Sequence, residues 1–572
     1  MVDEVLAYVA NYHPLLGHVM QQTGIIPLLS TLLDDDAQKY EVDAGTVVAG
    51  MIHNILSPEP IRLYRLTAFW QDKALPLLFP WQPTLLPEAI NEDRCGRVLD
   101  ALQRAGPQKV LSAVMRQVIH AYALDVSHVH YDTTSKSFCG AYTAQTAAHG
   151  PQIMRGYSKD HRPDLVQLLF GVVLSRDGVL VAGEVAAGNE QDMTANGYWI
   201  THIRQHLGLA LQQFLLYVAD SAAVTDENLR LCQLFHLDLL SRLPERFGLA
   251  ETLFTQALAD AASWTTLGAL SPEPHAAQYQ AWDTTAELAD ATYRFLVVRS
   301  DHLQAQQAET LTRAVARELT TLQQALTQLA PQGWHTAAAA ETARLAWVKA
   351  HPAYYHRITW TTETYTAPLP RTRPGRPRQG EVRPTVELLR LQGAVTPDPD
   401  RIAAARERCG LFVLITTLLD QAAYPPVTLL AESKEQHLAE RRHSFLKAPW
   451  AVGAFCLKKP ERVIALGYVL LIAAMVHTLL ERQVRQALDT TEQPPIQGLE
   501  QRPTRRPTTW AIFTALNAIL ILAQRTGDTW RFTPARPLTA NQKRILTLAG
   551  FSPDIYTWQG QLAPENLGLA AP

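Results

Sequence analysis

The sequence has few cysteines and no large excess of charge of either sign. Lysine plus arginine number 51 against 54 acidic residues, which leaves a net charge of −3 over 572 residues. Bulk charge therefore does not indicate a nucleic-acid partner, and any such surface must be local. The cysteines are odd in number and never closely paired: Cys95, Cys139, Cys232, Cys409 and Cys456. This excludes a disulfide framework and a cysteine-ligated zinc site, and it suits a reducing cytoplasm.

Long hydrophobic runs and a leader pattern are also lacking. The longest apolar run, residues 466–480, is shorter than the roughly 18 residues that spanning requires, and His477 interrupts it. We expect it to be a buried helix. The first ten residues, MVDEVLAYVA, have no basic segment before an apolar one, so no signal peptide is expected. We therefore expect a cytoplasmic protein with no membrane partner.

Apolar residues nevertheless make up 47% of the chain, enough for sizeable cores. Residues 1–122 show apolar residues at helical spacing and are predicted to form an all-α domain, with Asn91 as the N-cap of one helix. In residues 123–250 the pattern changes to strand, hairpin, strand, helix and strand, which predicts an α/β core with a mixed sheet. The β-like runs are 128–131, 165–174, 179–185, 214–219 and 237–243, with a turn at 176–178.

The following 251–408 segment has the composition of an insertion. It contains an Ala- and Gln-rich helix at 305–329, a Thr/Tyr-rich strand-like stretch at 354–367 and the run RTRPGRPRQG at 371–380, which is predicted to be an exposed loop. The core is predicted to resume over 409–485, with a strand-like FVLITTLL and long helices. A helical C-terminal region follows over 486–572.

Three acidic residues stand at positions suited to metal chemistry. Asp132 follows a β-run in YDTTSKSF, Asp220 ends the run FLLYVA, and Glu440 lies in a helical stretch at 431–447. Carboxylates at strand ends emerge at the rim of a sheet, where ligands bind. Two of them and one from a helix can hold two Mg²⁺ or Mn²⁺ ions about 4 Å apart. On pattern alone each Asp has an alternative role as a turn residue or helix cap, and 54 acids give many chance triples.

An ordered series of short motifs carries a more specific signal. The motifs are YDTTS (131–135), GYSKDHRPDL (156–165), SRDG (175–178), VADSAAVTDENL (218–229), SRLP (241–244), AERRHSFLKAPW (439–450) and LKKPERVIAL (457–466). In this order the chain resembles DDE transposases of bacterial insertion sequences, more narrowly the group with a Tyr-x2-Arg-x3-Glu-x6-Lys helix motif. The N-terminal helical domain resembles the one that precedes this family's core, and RPT at 506–508 resembles a C-terminal block.

The resemblance implies a ribonuclease-H-like catalytic core with an insertion domain before the last acid. It also implies two Mg²⁺ (or Mn²⁺) ions held by Asp132, Asp220 and Glu440, the catalytic residues. The N-terminal domain, 1–122, is then expected to bind DNA ends.

The expected activity is that of a DNA transposase, a homodimer in its DNA complex, in a bacterial cytoplasm. It would bind the terminal inverted repeats of its element, cleave the ends and join the 3′-hydroxyls to target DNA. Two alternatives remain: a decayed transposase that only binds DNA, and a metal-dependent nuclease without strand transfer.

The helix motif departs from the family pattern at two positions. Ser433 stands where the pattern has Tyr, and Gln436 stands where it has Arg, whereas Glu440 and Lys447 match. Steps of three, four and seven residues keep these positions on one side of a helix. Glu440 can then meet the metals while Lys447 meets a DNA phosphate.

Other polar residues are weaker candidates for DNA binding. Gln436 can hydrogen-bond a phosphate without neutralising it, so end binding is expected to use Arg441 and Arg442. Lys458 and Lys459 form a second basic cluster that can hold phosphates. His161, in the motif SKDHRPD, either touches substrate or makes a structural hydrogen bond in a turn.

An arginine-rich loop and a pair of histidines are two further patterns to consider. The loop has two possible roles, and the histidines do not indicate a metal site. Arg371, Arg373, Arg376 and Arg378 are concentrated in the proline-rich loop, and Arg376 in Gly-Arg-Pro resembles the core of a minor-groove hook. A disordered, solubilising loop is the alternative. His128 and His130 alternate along a strand, but the sequence reveals no partners for them, so no zinc site is expected there.

Overall fold

The computed structural model describes residues 3–33, 40–138, 150–157, 162–369, 383–435, 457–490 and 494–567. Elements are numbered in chain order over these residues. The helices are α1 (His13–Thr23), α2 (Ile25–Leu33), α3 (Ala44–Ile55), α4 (Leu66–Trp70), α5 (Leu75–Leu78), α6 (Glu92–Ala105), α7 (Pro107–Ala121), α8 (Asp192–Leu207), α9 (Asp226–Leu234), α10 (Gly248–Ala259), α11 (Asp301–Leu329), α12 (Ala337–Ala350), α13 (Pro399–Glu407), α14 (Pro426–Glu435), α15 (Pro460–Thr490), α16 (Thr509–Leu516) and α17 (Ala540–Leu548).

The strands are β1 (Glu4–Val9), β2 (His128–Phe138), β3 (Val166–Ser175), β4 (Leu180–Ala187), β5 (Leu216–Ala219), β6 (Asp238–Arg242), β7 (Thr265–Ala269), β8 (Gln278–Leu288), β9 (Ala291–Ser300), β10 (His356–Pro368), β11 (Thr385–Pro397), β12 (Leu411–Thr416), β13 (Ile496–Gln497), β14 (Pro503–Thr504), β15 (Leu520–Thr526), β16 (Thr529–Pro534) and β17 (Trp558–Gln561). The chain divides into two compact units. Unit 1 comprises Met1–Pro244, Thr285–Arg294 and Ile415–Pro572, and unit 2 comprises Glu245–Thr284 and Phe295–Leu414.

A mixed sheet forms the centre of unit 1, as the strand pattern predicts. Its strands neighbour one another in the order β4-β3-β2-β5-β6. Strands β2, β3 and β4 are antiparallel neighbours, whereas β2–β5 and β5–β6 pair in parallel. All ten residues of β3 are buried, which is typical of a strand with both faces covered. Gly178 has φ +75° in the β3–β4 turn, a conformation that favours glycine.

A long apolar helix, α15, lies in the core of this unit. By length and composition it is the one helix in the described part of the chain that qualifies to cross a membrane, yet 94% of its apolar window is buried inside the protein. It packs against β4, α6 and α7. Its Arg462 donates two hydrogen bonds to the carboxylate of Asp100 on α6, at 2.8 and 2.6 Å. This agrees with the prediction of a buried helix.

The prediction of an all-α N-terminal domain is wrong at its first segment, and the prediction of a helical C-terminal region is incomplete. Residues 4–9 form β1, which pairs antiparallel with β15 from Glu4↔Arg525 to Val9↔Leu520. Strands β16 and β17 complete this four-stranded sheet beside α16 and α17. The partner of β1 lies at the other end of the chain, so no local turn signal marks the pairing.

Unit 2 contains most of the segment predicted as an insertion. Strands β10 and β11 form an antiparallel hairpin from His356↔Pro397 to Pro368↔Thr385. A cluster of buried side chains from α11, α12 and β11 packs beneath it: Leu322, Leu329, Ala340, Trp347 and Leu391. The arginine-rich run 371–380 falls between β10 and β11 in sequence and lies outside the described residues.

We expect the β1–β15 pairing to contribute measurably to stability. Tyr8 is 5% exposed, stacks on Phe532 at 6.0 Å between ring centroids and donates a hydrogen bond to the Leu567 carbonyl at 3.2 Å. Tyr8→Ala should lower the free energy of unfolding by about 3 kcal/mol, since it leaves a cavity. Val5→Ala on the same strand, 52% exposed, should change it by less than about 0.5 kcal/mol. Equal effects in a denaturant titration would contradict this packing.

Candidate functional site

Two of the predicted acids lie on neighbouring strands of the central sheet, Asp132 within β2 and Asp220 directly after β5. The prediction that Asp132 follows the end of a strand is wrong, because β2 continues to Phe138 in its pairing with β3. The parallel register pairs Tyr131 of β2 with Ala219 of β5. Asp132 and Asp220 occupy the next position on each chain, on strands about 4.8 Å apart. Side chains alternate along a strand, so Asp132 is on the face opposite to Tyr131. Asp220 lies one residue past the end of β5 and keeps an extended backbone, so it continues the alternation on that same side. The predicted juxtaposition of these two acids is therefore consistent with the backbone register.

Local hydrogen bonds orient both carboxylates, which are partly buried. One oxygen of Asp132 accepts from the backbone N–H of Thr133 at 2.7 Å. One oxygen of Asp220 accepts from the N–H of Ala222 at 3.0 Å and caps a single 3₁₀ turn. The Ser241 hydroxyl donates to the Asp220 carbonyl at 2.8 Å, which ties this strand end to β6.

Helix α14 approaches the same face of β2. His128, His130 and Asp132 alternate along β2 and therefore share this face. Glu432 of α14 is 4% exposed, and its Oε1 lies 3.0 Å from His128 Nδ1 and 3.2 Å from His130 Nε2. Burial alone would raise the pKa of Glu432, but its contacts with the two imidazoles outweigh burial and lower the pKa to about 2. These contacts hold α14, the segment that precedes Glu440 in sequence, against the strand of Asp132.

A cluster of possible metal ligands forms at this contact. One donor atom each from His130, Glu432 and Glu435 lies within 4.8 Å of the others. Desolvation raises the pKa of Glu435, and the negative charge of Glu432 raises it further. The sequence analysis expected no metal site at His128 and His130, because the partners from α14 are more than 300 residues away. The available signals were the His-x-His alternation and two glutamates three residues apart on a helix.

Two basic residues missed by the sequence analysis, Arg242 and Lys434, lie close to each other, and Arg242 ends β6, the strand next to β5. The β5–β6 register pairs Ala219 with Ser241, so Arg242 takes the position next to Asp220. Arg242 is exposed. Burial lowers the pKa of Lys434 on α14, and the positive charge of Arg242 lowers it further, which indicates that the two cations are close. The motif SRLP contained Arg242, but only the register reveals its neighbour.

The opposite face of β2 is fixed by a buried carboxyl group. Glu184 of β4 accepts hydrogen bonds from the Tyr131 hydroxyl at 3.2 Å and from the Trp199 indole of α8 at 2.5 Å. Burial raises the pKa of Glu184 to about 7 against the lowering effect of these hydrogen bonds. Tyr217 of β5 donates to Asn196 of α8 at 2.9 Å. Tyr131, which directly precedes Asp132, and Tyr217, three residues before Asp220, thus help to anchor α8.

The remaining predicted site residues divide into described and undescribed ones. Ser433 lies on α14 and is partly buried, and Lys458 and Lys459 are exposed just before α15. The neighbouring Arg462 is engaged with Asp100. Outside the described residues lie Glu440, Lys447, Gln436, Arg441, Arg442, His161 and Arg376.

The raised pKa of Glu184 predicts a pH-dependent stability difference. Its folded pKa of about 7 lies above the ordinary 4.5, so stability is lost as the pH rises through this interval. Glu184→Gln does not titrate. The free energy of unfolding of Glu184→Gln, measured relative to that of the wild type, should therefore rise by on the order of 3 kcal/mol between pH 4.5 and pH 7.

Parallel denaturant titrations at pH 4.5, 6 and 8 measure this difference. Glu227→Gln, which changes an exposed residue of α9, serves as the control and should follow the wild type at every pH. A constant difference between Glu184→Gln and the wild type would contradict the assigned burial of Glu184.

Comparisons with known proteins give one partial family match and a distant structural likeness. The family model described as a domain of unknown function (DUF4277) matches residues 7–116. No match was found among curated proteins. The chain is similar to the piggyBac transposase in a cryo-EM synaptic complex with hairpin DNA, at 8% identity and a TM-score of 0.34, over 89% of this chain and 80% of that one. At these values the likeness carries no argument about what this chain does.

Proposed function

We propose that this protein is a DDE-type DNA transposase that cleaves the ends of its element and transfers the 3′-hydroxyls to target DNA. The observation that carries the proposal is the parallel register of β2 and β5, whose last pair, Tyr131 with Ala219, directly precedes Asp132 and Asp220. The packing of α14, which precedes Glu440 in sequence, against the Asp132 face of β2 supports it. The third acid, Glu440, is assigned from the ordered sequence motifs.

The donor set fits a hard divalent cation. Asp132, Asp220 and Glu440 would hold Mg²⁺ or Mn²⁺, because both prefer carboxylate oxygens. When bound, two such ions activate the attacking oxygen and stabilise the leaving oxygen of an in-line phosphoryl transfer. The contribution of the chain is orientation: backbone N–H groups of Thr133 and Ala222 fix the two aspartates before substrate arrives.

Basic residues around the acid pair would hold the DNA. Arg242 lies beside Asp220 in register, and a guanidinium binds phosphate through two parallel hydrogen bonds. We further propose phosphate contacts from Gln436, Arg441, Arg442, Lys447, Lys458 and Lys459, minor-groove contact from Arg376, and end binding by the N-terminal domain. Two copies of the chain would hold two ends, in a bacterial cytoplasm.

A plasmid assay with paired element ends separates this proposal from its alternatives. A transposase joins the ends to a target, a nuclease only cuts, and a decayed transposase only binds. Candidate ends come from inverted repeats that flank the reading frame.

We expect Asp132→Asn, Asp220→Asn and Glu440→Gln each to abolish cleavage, by at least about a thousandfold, since several kcal/mol of metal-dependent stabilisation is lost. Binding of the ends should stay within about threefold, because affinity comes mainly from phosphate contacts elsewhere. Gel-shift and cleavage assays measure the two properties. Asp226→Asn, an exposed position on α9, is the control. Cleavage at the wild-type rate by any of the three variants would remove that residue from the site.

Arg242→Ala should weaken duplex binding and reduce the slope of log affinity against log salt by about one. Arg230→Ala removes the same charge from α9, which packs on α8, and should leave the slope unchanged. Fluorescence anisotropy with a random-sequence duplex in EDTA measures both. Identical slopes for the two variants would mean that Arg242 does not bind DNA.

A further inference from the structure

The contact between β2 and α14 has an unusual composition for a buried helix–sheet interface. Two imidazoles, His128 and His130, project from one strand and meet Glu432, whose side chain is only 5% exposed. A second carboxylate, Glu435, brings a donor atom within 4.8 Å of those of His130 and Glu432. Buried charged groups of this kind are retained in proteins when they are paired or coordinate a metal.

Hydrogen bonding accounts for only part of this cluster. His130 Nε2 forms a hydrogen bond with Glu432 Oε1 at 3.2 Å. His128 Nδ1 lies closer to the same oxygen, at 3.0 Å, yet this buried atom makes no hydrogen bond within the described part of the chain. The contact is therefore close without the alignment that an N–H···O bond requires.

The separations also suit a coordination sphere. Zn²⁺ binds histidine nitrogen and carboxylate oxygen at about 2.0–2.2 Å, which places neighbouring donors of a tetrahedron about 3.3–3.5 Å apart. The observed separation of 3.2 Å between His130 Nε2 and Glu432 Oε1 is near this value. Glu435 is exposed and leaves the cluster open to solvent on one side. Imidazole ligands favour Zn²⁺ and similar transition metals over Mg²⁺.

We propose that His130, Glu432 and Glu435 bind one transition-metal ion of the Zn²⁺ class, with water in the remaining position. His128, which contacts the same oxygen of Glu432, lies beside the site. The ion fastens α14 to β2 two residues before Asp132. This site is distinct from the acid pair, which offers only oxygen donors. It does not depend on the transposase proposal, because metal binding here requires no DNA and no catalysis.

The test uses the full chain, stripped of metal with a chelator and titrated with ZnCl₂ in a calorimeter. We expect one high-affinity Zn²⁺ per chain, and the Co²⁺ form should give the visible absorption of a four-coordinate site. Glu435→Gln alters an exposed side chain and should weaken Zn²⁺ binding at least tenfold with folding intact. His130→Gln should weaken it further.

Two controls separate this site from other metal binding. Asp132→Asn with Asp220→Asn removes the acid pair and should leave Zn²⁺ affinity unchanged. His275→Gln, at an exposed histidine of unit 2, tests for adventitious binding. The proposal is overturned by the absence of a 1:1 Zn²⁺ complex, by wild-type affinity in Glu435→Gln, or by equal losses in either control. Loss of DNA cleavage in the acid-pair variant with Zn²⁺ affinity retained would support both sites separately.

Discussion

The candidate site depends on one constraint, the parallel register between β2 and β5. This pairing sets Asp132 beside Asp220, and the next pairing, β5 with β6, sets Arg242 beside Asp220. A shift of one residue would turn an acid to the opposite face, because side chains alternate along a strand. The register is held by what lies beneath it: Tyr131 and Tyr217 are fully buried and bonded to Glu184 and Asn196.

One face of β2 anchors helix α8, and the other face carries the side chains of the candidate site. One face is packed against α8 through aromatic rings and a buried carboxyl group, with the Tyr131 and Trp199 rings 5.8 Å apart. The other face carries Asp132 and the imidazoles of His128 and His130, which contact Glu432 of α14. Polar groups are costly to bury, so this face is stable only while its partners are in place. The position of α14 is thereby coupled to the charge state and occupancy of the cluster at its end.

Local sequence patterns predicted the helices and strands better than they predicted which of these elements pair or pack together. The β3–β4 hairpin follows from a tight turn between two apolar runs, and Asn91 caps α6 as its position suggests. Asp132 and Asp220 stood out in the sequence because each follows an apolar run, although only Asp220 follows the end of its strand, since β2 continues past Asp132 to Phe138. The partners of His128 and His130 were not, since they arise from a helix far along the chain and from packing that leaves no periodic trace. The pairing of β1 with β15 was not predicted for the same reason.

The β1–β15 pairing has a consequence for how the protein folds during its synthesis. During synthesis the residues of β1 leave the ribosome well before those of β15, which lie more than 500 residues later in the chain. Until then one apolar face and the hydrogen-bonding edge of β1 have no native partner, a condition that promotes pairing with other chains. Closing so long a loop is also slow. In a nascent chain, β1 therefore depends on a segment that is synthesised much later to complete its sheet.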